Sequence, residues 1–131
     1  MTERISAAPL AGRSMGGFGS SFVIAEWTVQ PSADWVQPIH LHHHDDEAWY
    51  VLEGRLLIRL GEVEAEAGPG TAVFAPPAMA HTFRNPGPGV SRYLLVATTA
   101  IAQLVEELSA LDDSDSAAAI FARHDSELLQ P

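Results

Sequence analysis

Between Phe22 and Thr98 apolar residues recur with a period near two in short runs, and beyond Thr99 the period changes to that of a helix. The first run, Phe22 to Val29 (FVIAEWTV), is rich in β-branched and aromatic residues and predicts a strand that ends at Pro31. Further strands are predicted at Glu47 to Val51, Leu56 to Leu60, Val63 to Ala67, Thr71 to Phe74, His81 to Arg84 and Ser91 to Thr98. Their connections, Glu53-Gly54, Gly61-Glu62, Gly68 to Gly70 and Asn85 to Gly89, are turn-formers by composition. Many short strands with such punctuation predict an all-β jelly-roll barrel, in which two sheets curl together and remove exposed edges. In the tail, Ile101, Leu104, Val105, Leu108 and Leu111 recur at helical spacing, giving an amphipathic helix over Ala100 to Leu111. Asp112-Asp113 would end it, and Ser114 or Asp115 would cap a second helix through Arg123 with Ile120 and Phe121 on its apolar side.

One stretch departs from this pattern. Pro38 to Gly54 (PIHLHHHDDEAWYVLEG) holds four of the six histidines, followed directly by Asp45, Asp46 and Glu47. No structural need places that many ionisable groups between apolar runs. If His40, Leu41 and His42 lie on a strand, the two-residue period sends both imidazoles to one face and Leu41 to the other. Glu47 shares a face with Trp49 and Val51 on the next run, so two imidazoles and a carboxylate can meet inside a curled sheet. That donor set matches the facial arrangement of non-haem iron and equally suits manganese, nickel, cobalt, copper or zinc. His81, which opens a strand after Pro76-Pro77, is the expected fourth ligand. His42 and His44 form an alternative pair of the same parity. His43 has the opposite parity, and His44 is expected to face solvent or a partner subunit.

These residues resemble the cupin superfamily. Its first motif is matched by His40, His42, Glu47 and Gly54. Its second is matched by Gly70, Pro76, His81 and Asn85, with Ala78 where the family has glycine. The resemblance implies a double-stranded β-helix barrel over residues 20–99, preceded by an arm or loop over 1–19 and followed by a helical extension over 100–131. It also implies one divalent transition metal per chain, held by His40, His42, Glu47 and His81. The helical tail is similar to that of some small bacterial cupins, including ones likened to quercetin dioxygenases. From this follows the expectation of a dioxygenase acting on a small aromatic or enolic compound, with Glu47 as a catalytic base. Two alternatives stand beside it: a non-catalytic small-molecule-binding module, and a metal-dependent isomerase or cyclase. Trp49, Val51, Phe74, Met79 and Phe83 are candidates to enclose the substrate or to serve as core. Trp35 and Val36 could line a pocket or close the barrel end, with core packing the expectation for either, and His124-Asp125 is expected as a surface pair rather than a dyad at the pocket edge. A single barrel of this family also implies a homodimer.

Composition narrows the field. With 131 residues the chain is of one-domain length, and 47% hydrophobic content supports a packed core. A formal charge of -10 with seven basic residues disfavours nucleic acid and anionic membrane as partners. The absence of cysteine excludes disulfides, thiolate ligands and a cysteine nucleophile. Neither a leader pattern nor a long apolar run is visible, so the cytoplasm is the expected location. The glycine-rich stretch Gly12 to Ser21 lacks both phosphate-loop and dinucleotide spacings and is expected to be a flexible turn.

Overall fold

The structure is a computed structural model that describes residues 7–17, 19–111 and 116–129. Its elements in order are β1 (Ser14–Gly16), β2 (Phe22–Val29), β3 (His40–His42), β4 (Glu47–Glu53), β5 (Leu56–Leu60), β6 (Val63–Ala67), β7 (Ala72–Ala75), β8 (His81–Arg84) and β9 (Ser91–Thr98). These are followed by α1 (Thr99–Ser109), α2 (Ala117–Arg123) and β10 (Ser126–Leu128). Two five-stranded sheets face one another, in the orders β1-β2-β9-β4-β7 and β10-β3-β8-β5-β6.

Neither sheet closes into a barrel, which corrects the closed architecture expected from the sequence. The chain crosses between sheets through proline-bearing segments that carry no continuous ladder; the first makes only an isolated bridge from Pro31 to Asn85 and a bond from Val36 N–H to Phe83 O. Pro76-Pro77 lies between β7 and β8, and prolines at 31 and 38 bound the crossing from β2 to β3. A proline has no N–H to donate to a neighbouring strand. The edges are instead blunted by length and charge: β1 and β10 have three residues each, and β6 carries Glu64 and Glu66.

Inward-facing residues of both sheets, among them Trp49, Val51, Leu56, Ile58, Tyr93 and Leu95, form the main core. Each large apolar side chain buried there contributes about 1.5–3 kcal/mol relative to exposure. Alternation is clean on β9, where Ser91, Tyr93, Leu95 and Ala97 are buried and their neighbours are half-buried. Gly54, in the motif position after β4, has φ +78°, and a Cβ there would lie 2.4 Å from Ser91 Oγ. Only glycine fits that turn.

The N-terminal segment differs from expectation. Within the glycine-rich stretch, Ser14–Gly16 pairs antiparallel with β2, Met15 opposite Ile24. Of the arm or loop expected over residues 1–19, residues 1–6 and 18 lie outside the described residues. At the other end, Thr98 Oγ1 caps α1 by accepting from Ile101 N–H at 3.3 Å. The proposed caps Ser114 and Asp115 also lie outside the described residues; the cap of α2 is Ser116, whose Oγ accepts from Ala119 N–H at 3.3 Å. Leu104, Ile120 and Phe121 make a second small core with Leu108 and Leu128. After α2, Asp125 adopts φ +56°, and this left-handed residue turns the chain back as β10 along β3. The sequence pattern does not show that strand, because three residues are too few to display a period.

No helix among the described residues is long and apolar enough to cross a membrane.

Candidate metal centre

His40 and His42 project from β3 and His81 from β8, and all three are buried. The strand period places the first two on one face, as the sequence predicts, and antiparallel pairing sets His40 directly opposite His81. One nitrogen from each imidazole lies within 4.8 Å of the other two, a spacing that can hold a metal ion. Glu47 reaches this cluster from β4 in the opposite sheet. Its Oε1 lies 3.0 Å from His42 Nε2 and 3.1 Å from His81 Nε2.

The outer nitrogens are all occupied. His40 Nδ1 lies 2.8 Å from Pro38 O, His81 Nδ1 2.9 Å from Met79 O, and His42 Nδ1 2.7 Å from Ser126 Oγ. Donation through Nδ1 leaves Nε2 facing the cluster, where it can offer a lone pair to an ion or, without one, a proton to Glu47. Buried histidines whose second nitrogen is held in this way are the usual form of metal-ligating imidazoles.

The electrostatics fit the same use. Burial lowers the His40 pKa to about 4, with the neighbouring His81 adding to the shift, so His40 is neutral at physiological pH. Burial alone would raise Glu47, but hydrogen bonds from His42 and His81 outweigh it and hold the carboxyl at about 2. Burial opposes protonation of His81, and the bond to Glu47 overcomes this and raises its pKa. A carboxylate surrounded by imidazoles is a hard-to-intermediate donor set suited to a first-row divalent ion.

The cluster opens into a cavity of about 180 Å³. Trp27, Trp49, Tyr93 and Leu95 from one sheet and Phe83 from the other form its walls, α1 closes one side with Ile101, Leu104, Val105 and Leu108, and Phe121 of α2 adjoins the site. The Phe121 ring meets His40 edge-on at 4.9 Å between centroids. Among the described residues no arginine lines the cavity.

Several expectations for individual residues need correction. Trp49 and Phe83 line the cavity and Val51 is core, within what was expected, whereas Phe74 is 56% exposed on the outer face of its sheet and Met79 is exposed and is neither lining nor core. Val36 sits exposed at the rim rather than in the core, and Trp35 is half-buried beneath the Arg84 guanidinium. His124 and Asp125 do not pair with one another: His124 Nε2 lies 2.8 Å from Glu107 Oε2, and Asp125 Oδ2 lies 2.5 Å from His44 Nδ1. His43 turns outward, as its parity requires, 3.3 Å from Glu127 Oε1. Ser126 is the site residue that sequence reasoning missed, since its partner stands 84 positions away. The wall supplied by α1 was foreshadowed only as an apolar face in need of cover.

The second motif has a local explanation. Ala78, at the glycine position, has φ +68°, and its N–H donates to His42 O at 2.6 Å. Asn85 is fully buried and ties the following loop to β2: its Nδ2 donates to Val29 O at 2.9 Å and Gly89 O at 2.8 Å. The motif asparagine therefore holds the strand that carries His81 rather than touching the cavity.

Comparison with known proteins agrees with this fold. A family profile for the cupin domain matches residues 25–97. The mannose-1-phosphate guanylyltransferase RfbM of Salmonella typhimurium is 32% identical over 69 residues, which are 53% of this chain and 14% of that protein. The chain thus spans only a small part of that relative. Among solved structures, TT1209 from Thermus thermophilus is 32% identical with a TM-score of 0.54, covering 60% of this chain and 72% of that one. A sugar phosphate isomerase of the cupin superfamily from Silicibacter pomeroyi is 27% identical with a TM-score of 0.55, covering 60% of this chain and 51% of that one.

Proposed function

The chain belongs to the cupin family, and from that premise we propose that it is a metal-dependent protein acting on a small, unphosphorylated compound that chelates through adjacent oxygens, in the manner of an isomerase or cyclase. The observation that carries this reading is the convergence of three buried imidazoles whose outer nitrogens are all held. His40, His42 and His81 would hold the ion, with Glu47 completing the set. When bound, a divalent cation acts as a Lewis acid that polarises a carbonyl or hydroxyl oxygen.

The chain's own residues define the rest. Trp27, Trp49, Phe83 and Phe121 exclude water and pack the apolar body of the ligand. At about 180 Å³ the cavity is smaller than the roughly 300–1,000 Å³ that accommodates drug-sized ligands, so the compound is small. Similarity to a sugar phosphate isomerase supports proton-shift chemistry. The substrate differs, because a phosphate needs arginine, lysine or a cluster of N–H donors, and among the described residues the lining has no basic side chain beyond its histidines. Glu47 is the carboxylate lining the cavity. Bonded to two imidazoles it is too weakly basic to accept a proton, but released from them its burial raises its proton affinity toward the range of a general base.

The aromatic wall favours a second reading, an oxygenase for a small aromatic or enolic compound. One experiment separates the two. Protein reconstituted with iron, manganese, nickel, cobalt, copper or zinc is mixed with small hydroxyketones and diketones in deuterated water, with and without dioxygen. Anaerobic deuterium incorporation beside the carbonyl is the expected result. Consumption of dioxygen without such exchange would favour the oxygenase, and saturable binding with neither would identify a binding module.

A further inference from the structure

His42 is held differently from the other two imidazoles. His40 and His81 each bond a carbonyl two residues earlier in their own segments, so those orientations form with the local chain. The Nδ1 of His42 instead meets Ser126 Oγ at 2.7 Å, from β10 at the far end of the sequence. Ser126 is buried and stands directly opposite His42 in the antiparallel register. Its hydroxyl donates to His124 O at 3.1 Å, which leaves the oxygen lone pairs to accept from His42 Nδ1–H. The serine therefore selects the tautomer whose Nε2 faces the cluster.

The rest of β10 is attached to the same strand. His43 N–H donates to Asp125 O at 3.0 Å and Leu129 N–H to Ile39 O at 2.9 Å, while Leu128 packs on the small core around Phe121. Three residues of ladder at a sheet edge form one of the weaker attachments in such a fold, of the kind that opens locally without global unfolding.

We propose that Ser126 is a positioning residue for His42 and that the C-terminal strand is a latch, whose docking completes the site for a divalent cation. This rests on the metal-centre reading given above. Linkage requires the effect to be reciprocal: a strand that raises cation affinity when docked is itself held more firmly when the cation is bound.

The test uses the full chain with Ser126→Ala and Ser126→Thr. Calorimetric titration with zinc and cobalt should show at least a tenfold loss of affinity in the alanine variant, in keeping with the roughly 10–100-fold cost of removing an outer partner of a metal-bound histidine. Threonine, which keeps the hydroxyl, should restore most of it. Nitrogen-15 NMR of the metal-free proteins should show a proton on His42 Nδ1 in the parent and threonine forms and a reduced share of it in the alanine form. Arg123 is the last basic residue in the sequence, so trypsin cleavage after it releases residues 124–131; zinc should slow that cut in the parent. Unchanged affinity and an unchanged His42 tautomer in Ser126→Ala would overturn the proposal. If the parent bound neither zinc nor cobalt, the metal-centre reading would fall, while the tautomer comparison would still decide separately whether Ser126 positions His42.

Discussion

His40 and His81 are direct partners across the antiparallel pair of β3 and β8, with ring centroids 4.5 Å apart. Forty residues of intervening chain are thus brought to one register position, and His42 joins them from two residues along β3. Alanine at His40, His42 or His81 is expected to weaken metal binding at least tenfold, measured by calorimetric titration after confirming the fold. Glu47→Gln should weaken it with more variation between metals. His43→Ala should be nearly silent, and His44→Ala should matter less than the ligand substitutions, because both side chains point outward to acids of the C-terminal segment. Loss of binding in His44→Ala with retention in His40→Ala would mean that the ligand register is displaced by two residues.

Acid should destabilise the metal-free protein in two overlapping steps. The His40 pKa is depressed from 6.5 to about 4, so its contribution is complete above pH 6.5 and is lost as pH falls through about 4. The Glu47 pKa is depressed from 4.5 to about 2, so its contribution is lost between those values. His81 has the opposite sign: its raised pKa adds stability that is complete below 6.5 and fades as pH rises through the folded value, a window above that of His40. Urea midpoints should therefore fall from pH 5.5 to pH 4, where His40 and Glu47 lose their contributions and that of His81 no longer changes. Protons and metal compete for the same nitrogens, so a thermal shift produced by metal should shrink between pH 8 and pH 5. An equal shift at both would contradict the ligand set.

Ala78 occupies left-handed backbone without the freedom of glycine. Its conformation costs roughly 1–2 kcal/mol relative to glycine, against about 0.4–1 kcal/mol of added chain entropy in the unfolded state on replacement. Ala78→Gly should consequently raise stability by about 0.5–1 kcal/mol in denaturant unfolding, with little change in metal affinity. A loss of stability would show that the alanine methyl makes packing contacts that outweigh the strain.

The first sheet presents an apolar outer face. Ile24, Val96, Ala48 and Phe74 are successive partners across β2, β9, β4 and β7, with Leu94 opposite Tyr50 in the adjoining row. Tyr50 and Phe74 are exposed in the single chain. Light scattering at micromolar concentration is expected to give about twice the chain mass, and Phe74→Glu should shift it toward one. A parent protein with the mass of a single chain would refute the homodimer.

The ligand strands were legible in the sequence because strand parity is local: His40 and His42 needed only the alternation around Leu41, and His81 only the turn-formers before it. Ser126 was hidden, since neither a three-residue strand nor its register has a period to read. The helix α1 was recognisable from its apolar spacing, but nothing in that spacing said that Leu104 and Leu108 would face the cavity. The expected barrel failed for a related reason. Alternation reports that a strand has an inner face, and does not report whether the outermost strands bond to one another.

The division of labour around the cavity has a consequence for altering the protein. The clustered imidazoles and the Glu47 carboxylate come from β3, β4 and β8, whereas much of the opposite wall is a helix with no part in that cluster. Shortening Leu104, Val105 or Leu108 would reshape the chamber while leaving the donor atoms where they are. The tail is thus the natural place to retarget such a scaffold, with ligand preference rewritten on one helical face and the inorganic chemistry kept as a fixed chassis.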